Sequence, residues 1–117
     1  MLHIYGIKNC NTVKKALDWL DGHHLDYTFH DFKKEPATSD KLQTWEKNVE
    51  WETLLNKKGT TWRKLSPEVQ ARIIDAPSAN AALAENNSMI KRPVIELDSG
   101  AIIVGFDEEL YLSTFLK

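Results

Sequence analysis

The chain has 117 residues, of which 42% are hydrophobic and 27% are charged, and its net charge is −2. This length fits one domain with a single core, and the near balance of charges gives no basis for binding nucleic acid or a membrane surface. No apolar run approaches the roughly 20 residues that cross a bilayer, and no signal peptide is predicted. The single cysteine, Cys10, excludes an internal disulfide and favours a reducing, cytoplasmic compartment.

The first predicted elements are a short strand at residues 2–7 and a helix that follows the cysteine. Apolar residues recur at helical spacing in Val13, Ala16, Leu17 and Leu20. Asn11 or Thr12 is the predicted cap, because a side-chain oxygen there accepts a bond from a first-turn N–H group, and Gly22 is the predicted end. Cys10 thus lies at a helix N-terminus, where unpaired N–H groups and the helix dipole favour an anion. We expect its thiol to ionise more readily than a free thiol.

A second strand is predicted at residues 25–30, where apolar and polar side chains alternate. A strand–helix–strand unit places its two strands side by side and parallel. A helix capped by Thr38 or Ser39 is then predicted to run to about Asn48, and a shorter helix follows at residues 51–55.

The rest of this helical section contains a predicted loop and two further helices. The loop covers residues 60–65, and the first helix after it begins at Pro67, because the first helical position tolerates the missing N–H of proline. Val69, Ile73 and Ile74 are predicted to face inward from that segment. The last helix of the section begins at Pro77.

The last third of the chain returns to strands. Residues 93–97 and 101–104 are predicted to form a hairpin about the turn at residues 98–100, which contains a glycine. Asp107 is the predicted cap of a final helix.

This order of elements predicts an α/β protein with a thioredoxin-like fold. The pattern β-α-β, then helices, then β-β-α gives a mixed four-stranded sheet with helices on both faces. We predict one domain at 1–117, with a thioredoxin-like core at about 1–35 and 88–117. An all-helical insertion at about 36–87 lies between the second and third strands. In the thioredoxin arrangement the reactive thiol follows the first strand, which is where Cys10 lies.

Three motifs resemble those of the ArsC/Spx family, and within it the YffB-type proteins. They are YGIKNCNT at residues 5–12, GTTWRKL at residues 59–65 and IKRP at residues 90–93. The resemblance covers essentially the whole chain. It implies a thioredoxin-like fold, a glutathione-linked thiol chemistry and a cis peptide bond before Pro93 beside the cysteine.

Carried over by position, the resemblance makes Cys10 the catalytic cysteine and Arg92 the arginine that faces the thiol and binds an anion. Two further arginines of the true arsenate reductases match Glu52 and Gly105 here, which argues against arsenate reduction. Spx-type regulators often carry a second cysteine at the position of Val13, so a disulfide switch within this chain is excluded.

Other residues are weaker candidates for substrate binding. Lys8 supplies a flexible cation near the thiol, Asn9, Asn11 and Thr12 surround it, and Pro93 adjoins Arg92. The loop polar residues are equally typical of turns and caps. Arg63 is a candidate second substrate contact, and its loop could equally pack on the core with solvated charges. The four histidines form no metal-ligand pattern, and no metal is predicted.

The favoured prediction is a glutathione-dependent thiol–disulfide oxidoreductase, with Cys10 as its nucleophile and glutathione as co-substrate. Without a second cysteine, an outside thiol must resolve the adduct on Cys10. The alternative for Cys10 itself is an inert structural thiol. The alternative function is a non-catalytic, Spx-like regulator that docks on a larger partner such as RNA polymerase through residues 62–64 and the helical insertion. Arsenate reduction is a third hypothesis. We expect a cytoplasmic monomer in each case.

Overall fold

The computed structural model describes residues 1–116 of the chain. Its strands are β1 (Leu2–Gly6), β2 (Tyr27–Asp31), β3 (Val94–Glu96) and β4 (Ile102–Val104). The helix α1 (Asn11–Gly22) joins β1 to β2, and α7 (Glu108–Phe115) follows β4. Between β2 and β3 the chain forms α2 (Ser39–Trp45), α3 (Trp51–Leu54), α4 (Thr60–Lys64), α5 (Pro67–Ala71), α6 (Ala76–Glu85) and a 3-10 turn (Asn87–Met89).

The four strands form one mixed sheet in the order β2-β1-β3-β4. β1 runs parallel to β2 and antiparallel to β3, and β3 and β4 form the predicted antiparallel hairpin. The predicted fold class is therefore confirmed. Within residues 1–116, none of the helices has the length and apolar character needed to cross a membrane.

The sheet buries apolar side chains on both of its faces. One face packs on α1 and α7 through a core that includes Ile4, Leu20, Ile95 and Tyr111. The other face packs on the helical section through a core that includes Leu42, Trp45, Leu83 and Val94. Successive residues of a strand point to opposite faces, which is why Val94 and Ile95 belong to different cores. Burial of each such side chain contributes about 1.5–3 kcal/mol.

The start of α1 differs from the prediction. Cys10 itself is the N-cap residue, with an extended backbone, and Asn11 and Thr12 lie in the first helical turn. The helix does include Gly22 as its last residue, but the left-handed position that follows is occupied by His24 (φ 56°). The thiol therefore lies one residue closer to the helix than a cap at Asn11 would place it.

Three predictions about the helical section are wrong. α2 ends at Trp45 rather than near Asn48, and residues 60–64 form the helix α4 rather than a loop. Val69 and Ile74 are 36% and 72% exposed and do not face inward, whereas Ile73 is partly buried against the core. The reason is that α5 stops at Ala71, so the helical spacing that would place these residues on one face does not continue.

Side-chain caps fix the beginnings of several helices. Thr38 accepts a hydrogen bond from Lys41 N–H, and Asp107 accepts one from Leu110 N–H, as predicted for α2 and α7. The cap of α6 is Asp75, which accepts from Ser78 N–H. Such caps satisfy N–H groups that have no partner inside the helix.

Candidate active site

A cleft of about 360 Å³ lies at the N-terminus of α1. Four separate parts of the chain form its walls. They are the start of α1, the end of the α3 segment (residues 51–56), the residues before β3 and the end of β4. The lining residues are Cys10, Thr12, Asn56, Lys91, Arg92, Val104, Gly105 and Phe106. The structure therefore brings three predicted site residues together in one cleft: Cys10, Thr12 and Arg92.

Cys10 is a half-buried free thiol. Its carbonyl accepts the N–H of Lys14 at 2.9 Å, which begins the helical ladder of α1. Its side chain makes no capping bond to the described residues, so the sulfur is not held by the helix that it caps. An N-cap side chain lies beside first-turn N–H groups that have no partner inside the helix, and such groups can donate to an anionic ligand.

Gly6 allows the end of β1 to approach the first turn of α1 closely. A Cβ atom at Gly6 would lie 2.9 Å from Cγ2 of Val13 and 3.9 Å from Cβ of Arg92. The end of β1 is thus squeezed between the first turn of α1 and the residues before β3. A side chain at this position would collide with Val13 in α1 and would only touch Arg92, so glycine is needed here for the close approach of β1 to α1.

The Arg92–Pro93 peptide bond is cis, as the resemblance implies. The carbonyl of Pro93 accepts the N–H of Gly105 at 2.8 Å, and the hydroxyl of Tyr111 donates to the Gly105 carbonyl at 2.7 Å. Burial raises the pKa of Tyr111, so the hydroxyl keeps the proton that it donates. These bonds hold Gly105 at a φ of 86°, a backbone conformation that favours glycine.

Asn56 and Lys91 also line the cleft, although neither was predicted as a site residue. A short bridge between Leu55 and Ile90 ties the α3 segment to the residues before Arg92. In this bridge Lys91 N–H donates to Leu54 O at 2.7 Å. Asn56 Oδ1 accepts from Lys58 N–H at 3.1 Å, which leaves the amide NH₂ group of Asn56 as its donor. The one feature of the sequence that points to Lys91 as a site residue is its place beside Arg92 in the basic pair before Pro93.

The cleft has a cationic character. Among the described residues that line it, none is acidic and two, Lys91 and Arg92, are basic. Neither cation forms an ion pair within residues 1–116. Unpaired cations and free N–H donors beside a half-buried thiol provide a site for an anionic ligand.

The remaining predicted site residues do not line the cleft. Lys8, Asn9 and Asn11 are exposed at the loop and first turn around Cys10. Arg63 is exposed on α4, away from the lining residues, and Pro93 is buried behind Arg92.

The two positions where the arsenate reductases carry further arginines differ in location. Glu52 is exposed on α3 and does not line the cleft, whereas Gly105 does. An arginine at Gly105 would need a positive φ that L side chains rarely adopt.

A second polar cluster, the Glu96 cluster, lies on the sheet face that packs against α2. Glu96 Oε2 accepts from Lys41 Nζ at 2.7 Å and from Trp45 Nε1 at 2.6 Å, and Tyr5 OH donates to Oε1 at 3.4 Å. Burial alone would raise the pKa of Glu96. The hydrogen bonds from Lys41 and Trp45 outweigh it and hold that pKa below its usual range.

Next to the Glu96 cluster, two histidines predicted on separate strands meet. His3 Nδ1 and His30 Nε2 are 2.9 Å apart, and His30 Nδ1 lies 2.9 Å from Glu35 Oε2. The ring of Tyr5 stacks on His30 with centroids 4.5 Å apart. The parallel pairing of β1 with β2 produces this contact, because it aligns Tyr5 with His30.

A thioredoxin-like sheet with one cysteine at the start of its first helix, and with an arginine before a cis proline in the same cleft, defines a class of small thiol-bearing α/β proteins. The model of the ArsC family matches residues 5–114 of this chain. The chain belongs to the ArsC family.

Comparison with individual proteins gives the same family. An uncharacterized protein of Haemophilus influenzae is 42% identical over 98% of this chain and 99% of its own length. The solved structure of a YFFB protein superposes with a TM-score of 0.90, at 42% identity and over 97% of both chains. An arsenate reductase-related protein of Brucella melitensis is 48% identical, covers 99% of this chain and 95% of its own, and gives a TM-score of 0.76.

More distant similarity extends to a regulator. The global transcriptional regulator Spx of Staphylococcus aureus is 24% identical over 93% of this chain and 82% of its own length. The proteins that are similar to this chain thus include a reductase-related protein and a regulator.

Proposed function

We propose that this protein is a glutathione-dependent thiol–disulfide oxidoreductase with Cys10 as its single nucleophile. The observation that carries the proposal is the half-buried free thiol of Cys10 in a cleft whose basic residues, Lys91 and Arg92, form no ion pair with the described residues 1–116. Glutathione carries two carboxylates and a thiol, which suits a cationic cleft beside a nucleophilic sulfur.

The reaction needs one protein thiol and two thiol–disulfide exchanges. The Cys10 thiolate attacks the glutathione sulfur of a mixed disulfide R–S–S–G, forms a Cys10–glutathione disulfide and expels RS⁻, which takes a proton from water. A second glutathione, as its thiolate, attacks the glutathione sulfur of that adduct. Oxidised glutathione leaves, and the Cys10 thiolate returns. One molecule of R–S–S–G and one of glutathione give RSH and oxidised glutathione, so atoms and electrons balance.

Each polar group of the cleft has a role in this scheme. Arg92 offers a planar fork of donors that can hold a carboxylate in bidentate fashion, and Lys91 adds a second cation. The NH₂ group of Asn56 and the hydroxyl of Thr12 are neutral donors on the same surface. Because the Lys91 N–H and Leu54 carbonyl join the two segments, the donors are held in a fixed arrangement.

A coupled assay with purified protein tests the proposal. The substrate is the mixed disulfide of glutathione with 2-mercaptoethanol, and oxidised glutathione is recycled with glutathione reductase and NADPH. We expect NADPH consumption above the uncatalysed rate with wild type, and none above it with Cys10→Ser. Mass spectrometry after exposure to oxidised glutathione should show one glutathionyl group on the wild type and none on the variant.

Cys10→Ser is a matched control, because a serine preserves the size of the side chain and is a good N-cap residue. Its melting temperature should equal that of wild type within the scatter of the measurement. Equal NADPH consumption by wild type and Cys10→Ser would reject the proposal.

A second candidate is a regulator that binds a larger partner, as suggested by the similarity to Spx. In this hypothesis residues 62–64 contribute to the interface. Trp62, however, is half-buried against the core and lies under the Lys57 ammonium, with Nζ 5.5 Å from the ring centroid, which leaves less aromatic surface for a partner. A stable complex with RNA polymerase that survives Cys10→Ser, without glutathione-coupled activity, would favour this candidate.

Arsenate reduction is a third candidate, which the similarity to a reductase-related protein suggests. The cleft contains one arginine, Arg92, and the backbone of Gly105 disfavours a second. We expect no arsenate-dependent NADPH consumption in the same coupled assay.

A further inference from the structure

We propose that the substrates of this cleft are mixed disulfides between glutathione and an apolar thiol. This inference rests on the proposed function and adds to it the chemistry of the second half of the substrate. The observation behind it is that the two sides of the cleft differ in character. Thr12, Asn56, Lys91 and Arg92 supply only polar donors, whereas Val104, Gly105 and Phe106 form an apolar wall.

The apolar wall is held rigidly. Gly105 is bonded at its N–H to Pro93 O and at its carbonyl to Tyr111 OH. Phe106 packs edge-on against the ring of Tyr111, with centroids 5.1 Å apart. Tyr111 itself is fully buried in the core between the sheet, α1 and α7. Phe106 is therefore anchored to this core, whereas Val104 packs against the other core, on the helical side of the sheet.

The wall also has room for a ligand group. Val104 and Phe106 are half-buried, so both keep apolar surface exposed. Apart from its chain neighbours Val104 and Phe106, no described residue has an atom within 4 Å of the place that a Cβ atom of Gly105 would take. The missing side chain leaves a gap between two apolar neighbours. An apolar group that filled the gap would remove their surface and its own from water, which is favourable in proportion to the area buried.

The two sides give the substrate one orientation. The carboxylates of the glutathione half bind Lys91 and Arg92, and the second half lies against Val104 and Phe106. Cys10 then attacks the glutathione sulfur, and the bond between the two substrate sulfurs breaks. The apolar thiolate leaves along the apolar wall and takes a proton from water, while the glutathionyl group stays on Cys10 until a second glutathione removes it.

Two substrates separate this inference from the proposed function. One is the mixed disulfide of glutathione with benzyl mercaptan, and the other is that with 2-mercaptoethanol. The two leaving thiols are alkyl thiols of similar acidity, so their uncatalysed reactions are close and are subtracted. After subtraction, we expect kcat/KM of wild type for the benzyl disulfide to exceed that for the hydroxyethyl disulfide by about tenfold, as for a modest gain in buried apolar area.

Two phenylalanines provide a matched pair of variants. Phe106 and Phe115 both pack edge-on against Tyr111, with centroids 5.1 and 5.7 Å apart, but of the two only Phe106 lines the cleft. Phe106→Ala should bring the ratio of the two kcat/KM values close to one, and Phe115→Ala should leave it near the wild-type ratio. If Phe106→Ala does not fold, Val104→Thr replaces it, because it keeps the shape of the side chain and should also lower the ratio.

Each outcome has a distinct meaning. Turnover of both disulfides with equal kcat/KM, or an unchanged ratio in the cleft variants, would overturn the substrate class and leave the proposed function intact. If neither disulfide is turned over, both the substrate class and the proposed function are overturned. A high wild-type ratio that falls in Phe106→Ala or Val104→Thr but not in Phe115→Ala supports the inference.

Discussion

The cleft and the Glu96 cluster both contain basic side chains and hydrogen-bond donors, but their donors are used differently. In the Glu96 cluster, Lys41 and Trp45 both donate to one carboxylate oxygen of Glu96. In the cleft, Lys91 and Arg92 have no carboxylate partner within the described residues. A charge that is paired inside the protein supports the fold, whereas an unpaired charge in a cleft is available for a ligand.

This difference separates the two regions by what their substitution should change. Loss of a cation from the cleft removes no internal partner, so reactivity should fall while stability stays nearly constant. Loss of a charge from the Glu96 cluster leaves a partly buried partner without its counter-charge, so stability should fall while reactivity stays constant.

Arg92→Ala tests the cleft and should have the largest effect. Removal of the guanidinium withdraws a charge-assisted interaction worth about 1.5–3 kcal/mol from a thiolate or a bound carboxylate, so kcat/KM should fall by roughly tenfold to a hundredfold. The rate of Cys10 alkylation by iodoacetamide at neutral pH, measured relative to that of free glutathione, should also fall. Urea unfolding should give a stability close to that of wild type.

The control for this prediction is Arg63→Ala. Arg63 is also a surface arginine, but it does not line the cleft, so both rates should match wild type. A loss of activity in Arg63→Ala as large as that in Arg92→Ala would contradict the location of the site.

Glu96→Gln tests the Glu96 cluster and should lower the free energy of unfolding by about 1–2 kcal/mol at neutral pH, because Lys41 loses its charged partner. The side chains of Lys41 and Glu96 are 33% and 20% exposed, which places the effect below that of a fully buried pair. Urea unfolding curves measure it. The glutathione assay should give unchanged kcat/KM, and a large loss of activity would break the separation of the two regions.

The pH dependence of this variant has a defined sign. The hydrogen bonds lower the pKa of Glu96 in the folded protein below the ordinary value of 4.5. Its contribution to stability is therefore present above that value and is lost as pH falls through the lowered range. Wild type should lose its advantage over Glu96→Gln in that acidic range.

A third prediction concerns the carboxylate of Glu46, whose substitution should have the smallest effect. Its Oε1 accepts from Nδ2 of the buried Asn80 at 2.8 Å, but Glu46 Oε2 and Asn80 Oδ1 are buried without a donor among the described residues. Burial raises the pKa of Glu46. Glu46→Gln removes the buried charge and supplies an NH₂ donor, so stability at neutral pH should rise by up to about 1 kcal/mol.

The sign for Glu46 is opposite to that for Glu96. With a raised pKa in the folded state, stability is greatest below the ordinary value of 4.5 and falls as pH rises through the raised range. The gain from Glu46→Gln should therefore disappear in urea unfolding at a pH below that value. A gain of equal size at both pH values would show that the buried charge is not its cause.

The amino-acid sequence alone determined the sheet, the helix that begins directly after Cys10 and the final helix. Each depends on a local pattern, such as apolar residues at helical spacing from Val13 or the capping aspartate Asp107. The resemblance added the pairing of Cys10 with Arg92 and the cis bond at Pro93. Patterns of this kind span only a few residues, so they can be recognised in the sequence before the fold is known.

The tertiary structure decided which residues form the cleft. Asn56 enters it because the α3 segment bridges to Ile90, and Lys91 enters it through the same contact. Phe106 enters because Gly105 binds Pro93 and Tyr111, which lie on either side of it in the sequence. The GTTWRKL motif made Arg63 a candidate site residue. Arg63 lies outside the cleft, because the short helix α4 holds it on the surface. Contacts between segments tens of residues apart leave no periodic signal in the sequence, so only the folded chain shows them.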